Sequence, residues 1–212
     1  YRFHPKIKRV IELINENIIG KVHSMETVFG QNLMTKKKFF FFEKKKRIDP
    51  NNRLFNKDLG GGVILDLGCY PTSLSLLIAS LIDNINLNDF KLSNIKKSFF
   101  NETVEIDTSL NLNINKIFNV KIHTSFKKNL GASTKIIGDK GSLILENTWT
   151  GNSGLIKINR DKSYFDEFKV DKDFYSYQLE KISESCLKKN QKLSYPGIST
   201  NETLLNMKII SE

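Results

Sequence analysis

The chain has few of the residues that hold metals or cross-link small secreted proteins. Only Cys69 and Cys186 are cysteines among 212 residues, and the three histidines are isolated. No C-x-x-C or H-x-x-x-H pair occurs, which argues against a zinc site. Each cysteine lies on an apolar stripe, so we expect two free thiols in the cytoplasm and treat a disulfide between them as the alternative.

Long apolar runs and several catalytic motifs are also missing. No apolar run approaches the roughly 20 residues that a membrane-spanning helix needs, and no signal peptide is recognisable. The G-x-S-x-G motif of the α/β-hydrolases and the Gly-Lys-Ser/Thr sequence of the P-loop do not occur. Because 39% of the residues are hydrophobic and 26% are charged, we expect a soluble globular chain that does not associate with membranes.

Acidic residues are the minority charge, and the formal net charge is +10. The segment 36–47, "KKKFFFFEKKKR", places basic residues around aromatic ones, as nucleic-acid-binding surfaces do. However, lysine is spread over every segment of the chain, which favours a general bias toward lysine as the solvated residue. We therefore predict no nucleic-acid partner. Nucleic-acid binding stays open as an alternative, which would show as binding that weakens steeply with salt.

Hydrophobic periodicity predicts an α+β domain. The segment "HPKIKRVIELINENIIG" has a helical apolar face, "KVHSMETVFGQN" reads as a strand, and residues 31–58 show no sustained period. A buried helix is predicted from residue 63, followed over residues 90–170 by alternating runs typical of an antiparallel sheet. Two helices end the chain, one with a stripe of Tyr175, Leu179, Ile182 and Cys186, the other starting at the capping box Ser199–Glu202.

The segment "LGGGVILDLGCYP" holds the main candidate site. Its glycines lack the preceding strand and the spacing of a dinucleotide fingerprint, so a tight start to the helix is favoured over phosphate binding. In a helix from Val63, Asp66 and Tyr70 would share one face. The pair could act in acid–base chemistry if a nearby cation lowers the pKa of the tyrosine, or could be a capping carboxylate beside a half-buried tyrosine. Trp149 could be a core residue or a pocket wall.

Four segments together resemble a known family. In order they are "YRFHPKIKRVIELINENIIGKV", "GGGVILDLGCYP", "IIGDKGSLIL" and "YPGISTNETLLNMKII". They are similar to the second domain of the Gfo/Idh/MocA oxidoreductases. Within that family the chain looks most like the dihydrodiol and sugar dehydrogenase branch, partly through "FGQNL" after the first strand. The resemblance implies an open, mostly antiparallel sheet with helices packed on one face, as in the C-terminal domain of glyceraldehyde-3-phosphate dehydrogenase. Residues 36–58 match poorly, which leaves the substrate open.

The resemblance also implies an activity for a longer protein. Members of the family bind NAD or NADP in an N-terminal Rossmann domain that ends near a Glu-Lys-Pro motif. This chain begins with Tyr1 after that motif and looks cut at both ends, so we expect residues 1–212 to be the C-terminal substrate-binding, catalytic and oligomerisation domain. On its own it should be inactive. The whole protein would transfer hydride between NAD(P) and a sugar, polyol or diol, and would form a homo-oligomer through the open sheet face.

The same resemblance assigns roles to four residues. Tyr70 matches the acid–base position, and Asp66 matches the aspartate that orients a substrate hydroxyl or tunes the lysine and the tyrosine. Arg2 lies at the junction to the cofactor domain and is expected near the nicotinamide. Trp149 matches an aromatic residue of the substrate pocket wall, and no metal is expected. The alternative is a non-catalytic domain of the same fold that binds a small molecule or serves assembly.

Overall fold

The computed structural model describes residues 1–38, 42–49, 51–149, 151–189, 193 and 195–212. Its helices are α1 (Pro5–Asn15), α2 (Cys69–Ala79), α3 (Phe174–Leu187) and α4 (Thr200–Ser211). Its strands are β1 (Val22–Gly30), β2 (Thr35–Lys38), β3 (Phe42–Lys45), β4 (Phe90–Phe100), β5 (Val104–Ile114), β6 (Phe118–Ser125), β7 (Thr134–Gly138), β8 (Gly141–Leu145), β9 (Gly154–Asn159) and β10 (Ser163–Phe168).

The main sheet has the strand order β10-β9-β8-β7-β1-β6-β5-β4. Strands β4 to β6 and β7 to β10 are joined as antiparallel neighbours, and β1 enters between the two groups. It pairs parallel with β6 and antiparallel with β7. The mostly antiparallel α+β fold predicted from the sequence is confirmed.

One face of the sheet carries the hydrophobic core. Alternate residues of the strands point to this face and are buried, for example Leu112 and Ile114 of β5 and Val120 of β6. They form one cluster with buried residues of α1, α2 and α4. Alternation at a period of two gives the strands one apolar side, and the helices cover it.

The opposite face of the sheet is polar in its middle strands. Glu26 of β1 faces Lys121 of β6, and their side chains form an ion pair at 2.8 Å. Asp107 of β5 contacts both His123 and Lys128. Covering of this face by a second copy of the chain stays a prediction.

Residues 31–58 contain more structure than their sequence predicts. Strands β2 and β3 pair antiparallel, and two 3₁₀ turns follow at Arg53–Phe55 and Lys57–Leu59. Phe55 is buried in a small second cluster with Val63 and Phe126. Of the phenylalanine run, residues 39–41 lie outside the described residues. The excursion therefore packs against the domain, because Phe55 supplies an apolar anchor that no periodic pattern reveals.

Helix α3 leaves its apolar stripe uncovered by the domain. The apolar stripe of Tyr175, Leu179, Ile182 and Cys186 is exposed rather than buried. The helix faces the domain through its other side, where Phe174 packs on the ring of His4 and Ser185 is buried. The stripe thus indicates amphipathicity but not which side the domain covers. Cys69 is half-buried, and both cysteines are free.

The stretch Lys57–Ala79 corrects the expectation that no apolar run approaches membrane-spanning length. It has 23 residues, and its most apolar window has a mean hydropathy of 1.5. By length and composition alone, this stretch could therefore cross a membrane. However, 72% of that window is buried inside the domain. Packing in the core accounts for the apolar character of this stretch.

Candidate active site

The three glycines at the start of the site contact a preceding loop. The amides of Gly60, Gly61 and Gly62 donate hydrogen bonds to the carbonyl oxygens of Lys57, Asn56 and Leu54. All three amides are therefore occupied and cannot cradle a phosphate in this arrangement. The sequence interpretation of these glycines as a tight start to the helix agrees with this geometry.

Two of these glycines are required by the local backbone. A Cβ at Gly61 would lie 2.6 Å from the carbonyl oxygen of Arg53 and 2.7 Å from that of Asn56, closer than atoms approach without a shift. Gly62 has φ +120°, a conformation that L side chains rarely adopt. The glycine run thus lets the loop carrying Arg53 lie directly against the start of the next helix.

A π-helical turn, Ile64–Gly68, precedes α2. The sequence predicts a regular helix from Val63 onward, and the structure differs from that prediction. Instead, the turn has i→i+5 bonding and so holds one more residue than an α-helical turn, and such turns are frequent at functional sites. Asp66 lies within this turn, and Tyr70 is the second residue of α2. The structure therefore brings the two predicted residues to the same end of the buried helix.

The carboxylate of Asp66 has a cationic partner that the sequence does not reveal. The guanidinium Nη2 of Arg53 donates to Asp66 Oδ1 at 2.6 Å. The side chain of Asp66 is 22% exposed and that of Arg53 is 60% exposed. The pair therefore lies at the surface of the domain, and the carboxylate is close enough to raise the pKa of Tyr70.

The ring of Tyr70 belongs to an aromatic cluster, which we define as Tyr1, Phe29, Tyr70 and Trp149. Ring centroids of the other three lie 5.7–6.0 Å from that of Tyr70. Trp149 also contacts Tyr1 edge-on at 5.3 Å. Tyr70 is 38% exposed and Trp149 only 8%, so the cluster presents Tyr70 outward from a largely covered base. Such contacts fix the position of the ring.

The pKa of Tyr70 is raised above its ordinary value. Burial is the main cause, and the neighbouring Cys69, Asp66 and Tyr175 add to it. Each of these four influences favours the neutral phenol. Tyr70 therefore keeps its proton near neutral pH, and no cation among the described residues lowers its pKa.

Trp149 lies in the loop between β8 and β9, and several polar contacts hold this loop. The hydroxyl of Thr148 donates to that of Thr134, which also bonds with that of Thr27. On the other side, Lys6 Nζ donates to the carbonyl oxygen of Asn147 at 2.5 Å. The predicted pocket-wall residue thus belongs to the aromatic cluster and rests on an anchored loop.

Arg2 lies in a different setting from the other three predicted residues. It is buried, its Nη2 donates to the carbonyl oxygen of Ser73 at 2.7 Å, and its Nη1 pairs with Glu202 at 2.9 Å. It thereby ties the segment before α1 to α2 and α4. Its contact with the nicotinamide stays a prediction.

Sequence reasoning missed three participants in this site. Tyr1 and Phe29 join the aromatic cluster, and Arg53 holds Asp66. Phe29 lies near the end of a clearly predicted strand, so the sequence pattern could have indicated that it lies at the edge of the core. No sequence pattern indicated the role of Arg53, because its segment has no hydrophobic periodicity. Among the described residues, no group of three or more His, Cys, Asp or Glu side chains is arranged to hold a metal ion.

Comparison with known proteins places this arrangement in a family. The sequence model of the GFO/IDH/MocA C-terminal domain matches residues 7–144. None of the curated protein sequences matches significantly. The fold is similar to that of KijD10, a 3-ketoreductase from Actinomadura kijaniata, with a TM-score of 0.76 and 16% identity. It is also similar to aldose-aldose oxidoreductase from Caulobacter crescentus, with a TM-score of 0.75 and 19% identity.

The two structures are longer than this chain. The similarity covers 99% of the chain in both cases, but only 58% of KijD10 and 57% of the aldose-aldose oxidoreductase. At these identities the likeness concerns the fold. The family match covers well over half of the residues and includes the glycine run, Asp66 and Tyr70. The chain therefore belongs to the GFO/IDH/MocA family and corresponds to its C-terminal domain.

Proposed function

We propose that this chain is the substrate-binding and catalytic domain of an NAD(P)-dependent oxidoreductase. The whole protein would transfer a hydride between the nicotinamide and a sugar, polyol or diol. The observation that carries the proposal is the position of Tyr70, which stands exposed and protonated beside Asp66 on the aromatic cluster. A phenol in this position carries a proton that it could donate to a carbonyl oxygen once a cation stabilises the phenolate.

The two side chains would divide the chemistry. Tyr70 would donate the phenolic proton to the carbonyl oxygen as the substrate is reduced, and would take it back from the hydroxyl in the reverse direction. The second carboxylate oxygen of Asp66, Oδ2, could accept a hydrogen bond from a substrate hydroxyl. Every influence on the pKa of Tyr70 disfavours the phenolate, which remains after Tyr70 donates its proton and which must be present for the reverse step. Proton transfer in either direction therefore calls for a cation beside the phenol, and the resemblance suggests the lysine of a Glu-Lys-Pro motif in another domain.

The cofactor would be NAD or NADP, which supplies or accepts the hydride when bound. The residues of this chain fit a supporting role, because the amides of the glycine run are occupied by loop carbonyls. The phosphates would thus be held by a separate Rossmann domain. Support for a nicotinamide comes from KijD10, whose structure contains NADP and TDP-benzene. We expect the cytoplasm as the location.

The substrate class rests on the aromatic cluster and on the similar proteins. An apolar wall with a few polar groups suits a small molecule whose carbon face packs on rings and whose hydroxyls bond to Tyr70 and Asp66. The aldose-aldose oxidoreductase was crystallised with glycerol, a polyol. A non-catalytic binding or assembly domain is the alternative, but such a domain has no need of a protonated tyrosine beside a carboxylate.

The test uses the full-length enzyme and the substitution Tyr70→Phe. Removing the hydroxyl should lower kcat by about 10²–10⁴-fold with the ring contacts kept. Tyr164→Phe is the matched control, because Tyr164 is an exposed tyrosine on β10 and belongs to no predicted site. A kcat unchanged by Tyr70→Phe would remove Tyr70 from the acid–base role. Tight nicotinamide binding by residues 1–212 alone would contradict the assignment of the cofactor to another domain.

A further inference from the structure

Arg53 stands out because its backbone is fixed to the start of the site while its side chain is open to solvent. Its carbonyl oxygen packs directly on Gly61, and the next residue, Leu54, accepts a hydrogen bond from the amide of Gly62 at 3.0 Å. Phe55 is buried against Val63. The loop therefore cannot move relative to the π-helical turn without breaking these contacts.

The guanidinium of Arg53 engages only one oxygen of Asp66. Nη2 donates to Oδ1 at 2.6 Å, and among the described residues no donor is bonded to Oδ2. A carboxylate is planar, so fixing Oδ1 also fixes the direction of Oδ2. An exposed ion pair of this kind contributes little to stability. Its effect lies in orientation, which strongly influences reaction rates at a catalytic site.

We propose that Arg53 is a positioning residue, which holds Asp66 Oδ1 and thereby presents Oδ2 to the reactants. The inference rests on the proposed function, since it assumes that Asp66 contacts the substrate or the lysine of the cofactor domain. Arg53 itself touches neither. It links the geometry of the loop 51–62 to the geometry of the reacting groups.

The test compares Arg53→Gln with wild type in the full-length enzyme. Loss of the contact should lower kcat by about tenfold while the KM for the nicotinamide stays the same, because only the orientation of Asp66 changes. Arg53→Lys should restore most of the rate, since a single donor suffices for one oxygen. Lys57→Gln is the control, because Lys57 is an exposed cation of the next 3₁₀ turn and is not bonded to Asp66.

Two kinetic results would overturn the proposal. One is a kcat within twofold of wild type in Arg53→Gln while Tyr70→Phe slows the same enzyme. The other is a raised KM for the substrate with kcat unchanged, which would make Arg53 a direct substrate ligand. A crystal structure of full-length Arg53→Gln gives a readout that needs no activity: we expect the Asp66 carboxylate to rotate, and an unchanged orientation would refute the role. If Tyr70→Phe has no effect on kcat, the proposed function fails. The crystal structure of Arg53→Gln still shows whether Arg53 orients the carboxylate of Asp66.

Discussion

Lys6 contacts the loop that carries Trp149, and its lowered pKa gives a quantitative prediction of how stability depends on pH. It is a buried lysine of α1, only 2% exposed, whose Nζ donates to the carbonyl oxygen of Asn147 and lies 5.3 Å from the ring centroid of Phe168. Burial lowers the pKa of Lys6 from 10.5 to about 8, because the charged form loses its hydration. The substitution Lys6→Met removes the titrating group but keeps most of the buried stem.

The pKa difference gives both the sign and the size of the effect. Between pH 8 and pH 10.5 the unfolded chain keeps the proton on Lys6 while the folded chain releases it. Stability rises with pH wherever the unfolded state binds more protons, so Lys6 makes the folded chain more stable as the pH increases. The full effect corresponds to about 3 kcal/mol, of which about 2 kcal/mol falls between about pH 7 and about pH 9.5.

The assay is urea denaturation of wild type and of Lys6→Met at several pH values in this range. The free energy of unfolding of wild type should rise by about 2 kcal/mol relative to that of the variant. Lys8→Met controls for the loss of a positive charge, because Lys8 lies on the same helix but is exposed; it should change stability by less than about 0.5 kcal/mol at neutral pH. A difference between wild type and Lys6→Met that stays constant over this pH range would refute the reasoning that burial sets the charge of Lys6.

Two further predictions concern the supports of the site. Gly61→Ala should lower the free energy of unfolding by about 1–3 kcal/mol in urea denaturation, because the new methyl group meets the carbonyl oxygen of Arg53; an unchanged midpoint would contradict the close approach. Glu202→Gln should destabilise the chain by about 1–3 kcal/mol at neutral pH. Burial opposes the charge of Glu202, but bonds from Ser199 and Arg2 outweigh it and lower the pKa of the carboxyl. That stabilisation is lost as the pH falls through the lowered pKa, so thermal melting should show the difference shrinking in acid.

Much of the fold follows from local pattern. Helix α1 has its apolar residues on one face, β5 alternates at a period of two, and Ser199 and Glu202 form the predicted capping box. These patterns depend only on residues that are close together in the sequence, so the elements can be predicted from the sequence alone. The side of α3 that faces the domain depends on its contact with His4, which lies about 170 residues earlier in the chain, so the local pattern does not determine it.

The candidate site shows the same limit at the level of side chains. The positions of Asp66 and Tyr70 at the start of a buried helix are predictable, because the glycine run and the apolar helix are both local features. The π-helical turn is not, since nothing in "VILDLG" distinguishes it from an α-helical start. The contact of Arg53 with Asp66 also depends on the fold of a loop anchored by the burial of Phe55.

The raised pKa of Tyr70 supports the proposal that a cofactor domain completes the site. Burial, Asp66, Cys69 and Tyr175 all raise the pKa of Tyr70. A site complete in itself would place a cation at the phenol to balance these effects, as enzymes do when a tyrosine serves as a base near neutral pH. Among the described residues, the only cation bonded to the neighbouring carboxylate is Arg53, whose contact is with Asp66 and not with the phenol of Tyr70. Under the proposed function, Tyr70 would donate the proton and Asp66 would bind a substrate hydroxyl beside the aromatic cluster, and a cation from a cofactor domain would stabilise the phenolate that proton transfer leaves.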